Sequence, residues 1–454
     1  MRETKVKIDP FGFVCLEDIE IDQKVNEHAR AVVYGLLDSE HMDEYREMLL
    51  NDDLWVKIRI FGEGMEKDFF CGIVKAYELH GKDSLYYLKL ELVSGTYLMD
   101  QRQHIRVFQE EQKTYEKMYE VITKEYFQNG VVTSKGADRT VKDLVVQYKE
   151  TDWEFAKRLA AKSGEFLIPE VLTMGTRYFT KFPKRETVVL PESERYKRYK
   201  KRLVPDMERS IGALGFTSRE IHSMGDQVMV GGRAFCIFGI QSRLHQGELL
   251  HEYHLVLEEE RFSNKKHGER IAGVSMLGTV KKVKRDMVFV ELVEDEYRSR
   301  SYRWFPFSTV YSSQDGTGWY CMPEEGDQIR LHFPDPDERN AYVISAVHLP
   351  TESGRLNPDE KSFKNKYNKE IRFTPKGILI TNNAGSFIEI SDDHGIWIES
   401  DKDIRIRAKG QMTVASEDQD VTLSAENVLR IKQKETSIKL SEDIIVSGGE
   451  FRLQ

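Results

Sequence analysis

The stretch SFIEISDD HGIWIESD KDIRIRAK GQMTVASE DQDVTLSA ENVLRIKQ KETSIKLS EDIIVSGG, residues 386–449, repeats every eight residues with only small slippage. Each block carries an apolar pair two residues apart: Ile388/Ile390, Ile396/Ile398, Ile404/Ile406, Met412/Val414, Val421/Leu423, Leu429/Ile431, Ile438/Leu440 and Ile444/Val446. In an extended strand this spacing puts both members on one face and turns the residue between them to the other. The intervening residues are mostly polar (Glu389, Arg405, Thr413, Thr422, Arg430, Lys439), with Trp397 and Ile445 as exceptions. A short fixed period of this kind marks a β-solenoid.

The period also bears on chain number. One strand per eight residues, with two inward side chains, builds a single wall and encloses no core. Three chains winding together close the structure and satisfy the strand edges between them. Three such pairs per layer, at about 2 kcal/mol per buried aliphatic, would stabilise each layer by roughly 10 kcal/mol before entropy. The expectation is an intertwined trimeric β-helix over residues 373–454, with these sixteen side chains as its core. Nine layers or so at about 4.8 Å each make a shaft of roughly 45 Å. An antiparallel meander is the plain alternative, although the octads lack the usual turn dipeptides.

Upstream, residues 1–100 alternate apolar and polar residues in short runs such as KVKI, LWVKIRIF and LYYLKLELVSG, which predict strands around one short helix near 43–50. Residues 101–270 open with the strand-like QHIRVF and add predicted helices at 114–127 and 148–163. In the second helix Asp152 reads as the N-cap, Phe155, Leu159 and Ala160 as the apolar face, and Lys157, Arg158 and Lys162 as the solvent face. Strands return from 165 to 257. Residues 271–350 have the scale of a small OB-type barrel, with strand runs TVKKVKRDMVFVELV, YRWFPFSTVY, GWYCM, DQIRLHF and AYVISAVHL. Polar residues 351–372 read as a linker.

Composition narrows the function. Of 454 residues, 40% are hydrophobic and 31% charged, as in a folded protein, and the net charge of −9 argues against general affinity for nucleic acid. No run approaches the roughly twenty apolar residues of a membrane span, and the charged amino terminus lacks a signal-peptide core, so assembly in the cytoplasm is expected. Cys15, Cys71, Cys236 and Cys321 are scattered without a CxxC pair, which fits a reducing compartment and no structural zinc. His245, His251 and His254 lie close in sequence, but His251 and His254 point to opposite faces of a strand, so no metal is expected. Gly231/Gly232 lacks the lysine and helix of a phosphate loop. Asp152 and Glu154 could pose as an acid/base pair, but a helix start accounts for both. The basic run SERYKRYKKRL, 193–203, reads as a solvated loop. Fewer than forty residues separate the barrel from the octads, too few for a hydrolase core. The chain is therefore expected to have no catalytic residues, cofactor or metal.

The stretch YKETDWEFAKRLAAKSG, 148–164, resembles the signature of the VgrG and phage baseplate-hub family. The barrel sequence resembles that family's spike OB domain at Trp304, Gly318, Trp319, Pro323, Gly326, Asp327, Phe333, Asp335 and Pro336, while Ser345 replaces a common glycine. The order of parts agrees as well. The resemblance implies the central spike of a contractile injection system: a phage tail, a tailocin or a type VI secretion apparatus. It implies two tube-like barrels per chain in the hub, so that a homotrimer adapts a hexameric inner tube to a threefold, membrane-piercing needle. It further implies as partners the inner tube protein, other baseplate proteins, the target cell envelope and a small PAAR-like tip protein, with Phe451 and Leu453 as its contact residues. A trimeric tailspike that binds or cleaves surface polysaccharide is the alternative, although octads leave no room for a cleft.

Overall fold

The computed structural model describes residues 5–62, 65–183, 187–189, 197–198, 214–230, 232–245, 247–257, 269–346 and 357–440. The chain divides into two compact units, Met1–Leu349 and Pro350–Gln454. Strands dominate both, and three α-helices are found among the described residues: α1 (Met42–Leu49), α2 (Tyr115–Thr123) and α3 (Asp152–Ser163).

In the first unit one antiparallel ribbon runs Lys5–Asp9, Trp55–Gly62, Met65–Lys82, Leu85–Val93, Arg30–Leu37, Phe13–Lys24. It curls around a core that includes Ile19, Ile21, Val33, Val56, Ile58, Phe70, Leu88 and Leu90, and α1 covers it through Met42, Tyr45 and Leu49. The alternation is clear in Arg30–Leu37, where every second side chain is buried. The sheet then continues into a second lobe, because Phe13–Lys24 pairs antiparallel with Arg233–His245 (Gly239 opposite Lys24, Arg243 opposite Glu20). Arg233–His245, Glu248–Leu257 and Leu214–Ser218 surround a separate core of Phe216, Val228, Ile237, Ile240, Tyr253 and Leu255.

Between the lobes in sequence lie α2, α3 and the antiparallel strand pair Gln103–Phe108 with Val145–Thr151. This pair is two-sided. Phe108 and Val145 join the helical core of Met118, Ile122, Trp153, Phe155 and Leu159. Val107, Leu144 and Val146 face the other way, into the core of the next barrel.

That barrel has five strands, ordered Arg303–Pro306, Met287–Leu292, Ser275–Lys284, Gln328–His332, Tyr342–Ala346. A parallel bridge between Phe307 and Val343 joins the two ends of this order. Two details differ from the sequence reading. The first run is a hairpin of two strands turning at Arg285 (φ 54°) and Asp286, and GWYCM forms no strand. Gly318, at φ 142°, bridges back to Ser312 and sends Trp319 and Tyr320 toward solvent.

In the second unit, Lys361–Lys364, Glu370–Thr374, Gly377–Thr381, Phe387–Ser391 and Gly395–Glu399 form a five-stranded antiparallel meander. Pairing thus begins inside the stretch expected to be linker, and the first two octads pair with each other within the chain through a turn at 392–394. Gly395, at φ 76°, allows that tight return. Residues 400–428 contribute no strand, and a hairpin of Leu429–Gln433 with Thr436–Leu440 follows.

Candidate assembly site: a buried joint and an apolar strand face

The helix signature folds into a joint between the first unit's parts. The cap of α3 is Thr151, one residue before the expected Asp152: Thr151 Oγ1 accepts from Glu154 N (3.1 Å), and Glu154 Oε2 accepts from Thr151 N (2.9 Å). This is the reciprocal capping box that T-D-W-E encodes. Gly164 in the left-handed region (φ 74°) ends the helix. Asp152, freed from capping, is buried and accepts from Arg106, from Gln147 Nε2 (2.8 Å) and from the Tyr126 hydroxyl (2.7 Å). Trp153 is also buried, with its ring 4.9 Å from that of His28 in the first ribbon and 5.7 Å from Tyr178.

Arg158 overturns its assignment to the solvent face. It is 3% exposed, and its Nε donates to Glu150 Oε1 (2.9 Å) while Nη1 donates to Glu338 Oε1 (2.9 Å) in the five-stranded barrel. Lys162 Nζ also reaches Glu338, at 3.0 Å from Oε2. Burial pushes the Glu338 carboxyl upward, but the Arg158 and Lys162 charges outweigh it and hold the group below the usual carboxylate range. Burial likewise opposes the Arg158 charge, and Glu150 outweighs it. A second link is His104, whose Nδ1 lies 2.8 Å from Glu296 Oε2 in the barrel's long connection. A third is Arg270, which donates to both Glu154 oxygens (2.7 and 2.8 Å). The helix is therefore tied to the strand pair and to the barrel by ion pairs, of which the set Arg158, Glu150 and Glu338 is buried. Desolvated charges of this kind hold one docking geometry, because any displacement leaves a buried charge unpaired.

The apolar pairs of the second unit stand opposite one another across the meander: Ile371 with Ile380, Phe373 with Ile378, Ile378 with Ile390, Ile380 with Ile388, Ile388 with Ile398, and Ile390 with Ile396. One sheet face is thus a continuous isoleucine and phenylalanine surface, with a groove of about 510 Å³ lined by Phe363, Ile371, Ile380, Ile388, Ile398 and Ile404. The other face carries Arg372, Leu379, Glu389 and Trp397. Among the described residues nothing covers the apolar face. Ile388, Ile390, Ile396, Ile398, Ile404, Ile406, Met412, Val414, Val421, Leu423 and Ile431 are between 39% and 75% exposed, and Leu429 is half-buried. The side chains of Ile438 and Leu440, and all of Ile444, Val446, Phe451 and Leu453, lie outside the described residues.

The remaining sequence candidates resolve into structural roles. His251 is buried, with Nδ1 2.7 Å from Ser242 Oγ and its ring 5.4 Å from Phe69, while His254 lies half-buried on the other face. Burial, helped by His222, pushes the His251 imidazole down to about 4. Glu154 is occupied by the cap and Arg270, and Gly232 sits in a turn with φ 77°. Most of 193–203 lies outside the described residues. Among the described residues no group of three His, Cys, Asp or Glu is placed to hold a metal, and no helix is long and apolar enough to cross a membrane. Sequence reasoning missed Arg106, His104, Glu338 and Lys113. Lys113 is a buried lysine whose Nζ donates to the carbonyls of Glu110, Val141 and Asp143 and whose burial, with Arg303 nearby, pushes it down to about 8. A signal for Arg158 existed: it falls three residues after Phe155, on the apolar side, and its guanidinium lies 5.0 Å from that ring.

Residues 46–213 match the family model described as the phage tail baseplate hub (GPD). Among solved structures, the c3393 protein of E. coli is described as a type VI secretion component similar to the T4 bacteriophage tail proteins gp27 and gp5. It shares 13% identity with this chain at a TM-score of 0.55, and the match covers 76% of this chain and all (100%) of that one. The lidless PdpA-VgrG complex gives 9% identity and a TM-score of 0.56, covering 87% of this chain and 98% of the other. Its half-lidded Francisella form gives 8% and 0.55, covering 87% and 88%. At these identities the likeness is one of fold. No curated protein sequence matches this chain.

Proposed function

We propose that this chain is a hub and spike protein of the phage baseplate and VgrG type, a structural part of a contractile injection system, and that it works as a homotrimer whose C-terminal octads form the piercing needle. The observation that supports this reading is the isoleucine face of the meander, which no described residue covers, followed by residues 400–428, which pair with no strand among the described residues. Two further copies supply both the apolar cover and the missing ladder. Covering the exposed half of each isoleucine is worth about 1 kcal/mol per side chain, so the needle forms only on assembly.

In this proposal 1–100 and 101–270 are the two hub domains, 271–350 is an OB-type barrel, and 373–454 is the needle. Three chains then present six similar hub lobes to a hexameric inner tube. Sheath contraction drives the needle into a target envelope, and the intertwined strands resist unravelling because sliding one chain breaks many main-chain hydrogen bonds together. The particle assembles in the cytoplasm, and a PAAR-like tip meets the end of the needle at Phe451 and Leu453. Hub and spike proteins of this family are structural, and the chain performs no catalysis. The tailspike alternative is not favoured by the family or the fold. Electron micrographs of the purified chain test the proposal: a cup bearing a thin rod is expected, and particles without a rod, or release of sugar from cell-wall or surface polysaccharide, would overturn it.

A further inference from the structure

The five-stranded barrel carries aromatic side chains on its outer surface as well as in its core. Along Met287–Leu292, Val288 and Val290 are buried while Phe289 lies on the opposite face, and along Arg303–Pro306 the buried Phe305 follows the exposed Trp304. The ladder sets Phe289 opposite Trp304, with ring centroids 5.0 Å apart. Tyr302, two residues before Trp304, meets Phe289 edge-on at 5.8 Å, and Lys281 Nζ lies 5.9 Å from the centre of the Tyr302 ring. These contacts put three rings on one face of two adjacent strands. Trp304 is 39% exposed there.

Tyr302 and Glu291 also line a cleft of about 440 Å³, together with Gln109, Asp295, Arg298 and Arg300. Its carboxylates are already engaged. Glu291 is held by Lys281 and by the Tyr302 hydroxyl (3.0 Å), and Asp295 by the backbone N–H groups of Val107 (2.8 Å) and Tyr297 (3.0 Å). Its other polar groups are not. Arg298 and Arg300 are exposed and form no ion pair among the described residues. Gln109 is 2% exposed, yet its Oε1 meets no donor among the described residues. A buried amide in that state is costly unless something else completes its hydrogen bonds.

We propose that this face and cleft bind a neutral glycan bearing N-acetyl groups, with a pyranose ring lying on Trp304 and Phe289 and its polar groups turned into the cleft. A pyranose ring has an apolar C–H face for an aromatic ring to cover, and hydroxyls that both donate and accept, which suit free guanidiniums and a free amide together. An acetamido N–H is the donor that Gln109 Oε1 lacks. In five-stranded barrels of this strand order, the exposed face of the second and third strands takes oligosaccharides or oligonucleotides. Charge separates the two. Between 291 and 300 the chain carries four acidic residues (Glu291, Glu294, Asp295, Glu296) and two basic ones, which disfavours a polyanion. The site adds a ligand to the mechanical reading above and depends neither on that reading nor on chain number.

The test is titration calorimetry of the full-length chain with a hexamer of β-1,4-linked N-acetylglucosamine. Maltohexaose, which lacks acetamido groups, and an oligothymidylate of twelve nucleotides serve as competing ligands. The hexamer should bind with a dissociation constant of about 1 mM or tighter, and maltohexaose at least about tenfold more weakly. Trp304→Ala should weaken hexamer binding at least about tenfold and Arg300→Ala about threefold, both at exposed positions where folding tolerates the change. Absence of hexamer binding up to about 10 mM overturns the proposal. So does hexamer binding that both variants leave unchanged, maltohexaose binding as tight as the hexamer's, or oligothymidylate binding that is tighter.

Discussion

Replacing Arg158 with alanine isolates the joint that ties α3 to the five-stranded barrel. The guanidinium is 3% exposed and serves Glu150, Glu338 and the Val146 carbonyl. Its removal leaves the Glu150 carboxylate uncompensated and Glu338 with Lys162 alone, and breaking a buried pair in this way typically costs about 3–5 kcal/mol. The expected loss for Arg158→Ala is in that range at neutral pH. It depends on pH with a definite sign. The Glu338 carboxyl is held below its ordinary value of 4.5 in the folded chain, so its contribution is present above that value and is lost as pH falls through the lower folded value. The gap between wild type and variant should therefore narrow in acid. Replacing the most buried members, Arg158→Met with Glu150→Gln and Glu338→Gln, should recover most of the stability, since a neutral set needs no charge compensation and the partly exposed Lys162 can turn to solvent. The assay is guanidinium unfolding followed by the fluorescence of buried Trp153, using the transition that carries that residue because several cores share the chain. A loss under about 1 kcal/mol for Arg158→Ala, or a triple variant as damaged as the single one, would refute the reasoning.

Three other outcomes follow from the same structure. His251 is buried neutral with its pKa near 4, so stability should be complete above the unfolded value near 6.5 and decline by roughly 3 kcal/mol as pH falls from there toward 4, while His251→Gln should flatten this slope in pH-dependent unfolding curves. Gly95→Ala should destabilise the first unit by about 3 kcal/mol or more, because the added Cβ would lie 2.1 Å from Gly175 O and 2.7 Å from the Trp55 ring; an unchanged melting temperature would contradict this close approach. Ile404→Asp or Leu429→Asp should abolish trimer formation yet leave the hub's unfolding transition in place, as read by light scattering and calorimetry on the same samples.

Periodicity made the strand-rich character legible, including the strands of the first two octads, because period-two apolar pairing is a local property of the chain. The register that sets Ile388 opposite Ile398, and Ile390 opposite Ile396, also follows from that pattern once a turn at Gly395 is granted. The continuity of one sheet across both lobes was not legible, since the pairing of Glu20 with Arg243, in the ladder and as an ion pair, joins residues far apart in sequence. The charge network failed for a related reason. Arg106, Arg158 and Glu338 look like surface residues when composition is the guide, and only tertiary packing places their charges against one another. Asp152 was misassigned because two adjacent residues, Thr151 and Asp152, are both good caps, and the glutamate three positions on selects the threonine.

The central claim, that the C-terminal octads enclose a dry interior only when three chains combine, is tested most directly by mass. Sedimentation equilibrium of the full-length chain at micromolar concentration should return three times the 52.9 kDa of one chain, with the octads resistant to protease. A stable species of 52.9 kDa whose octads resist protease equally well would contradict it.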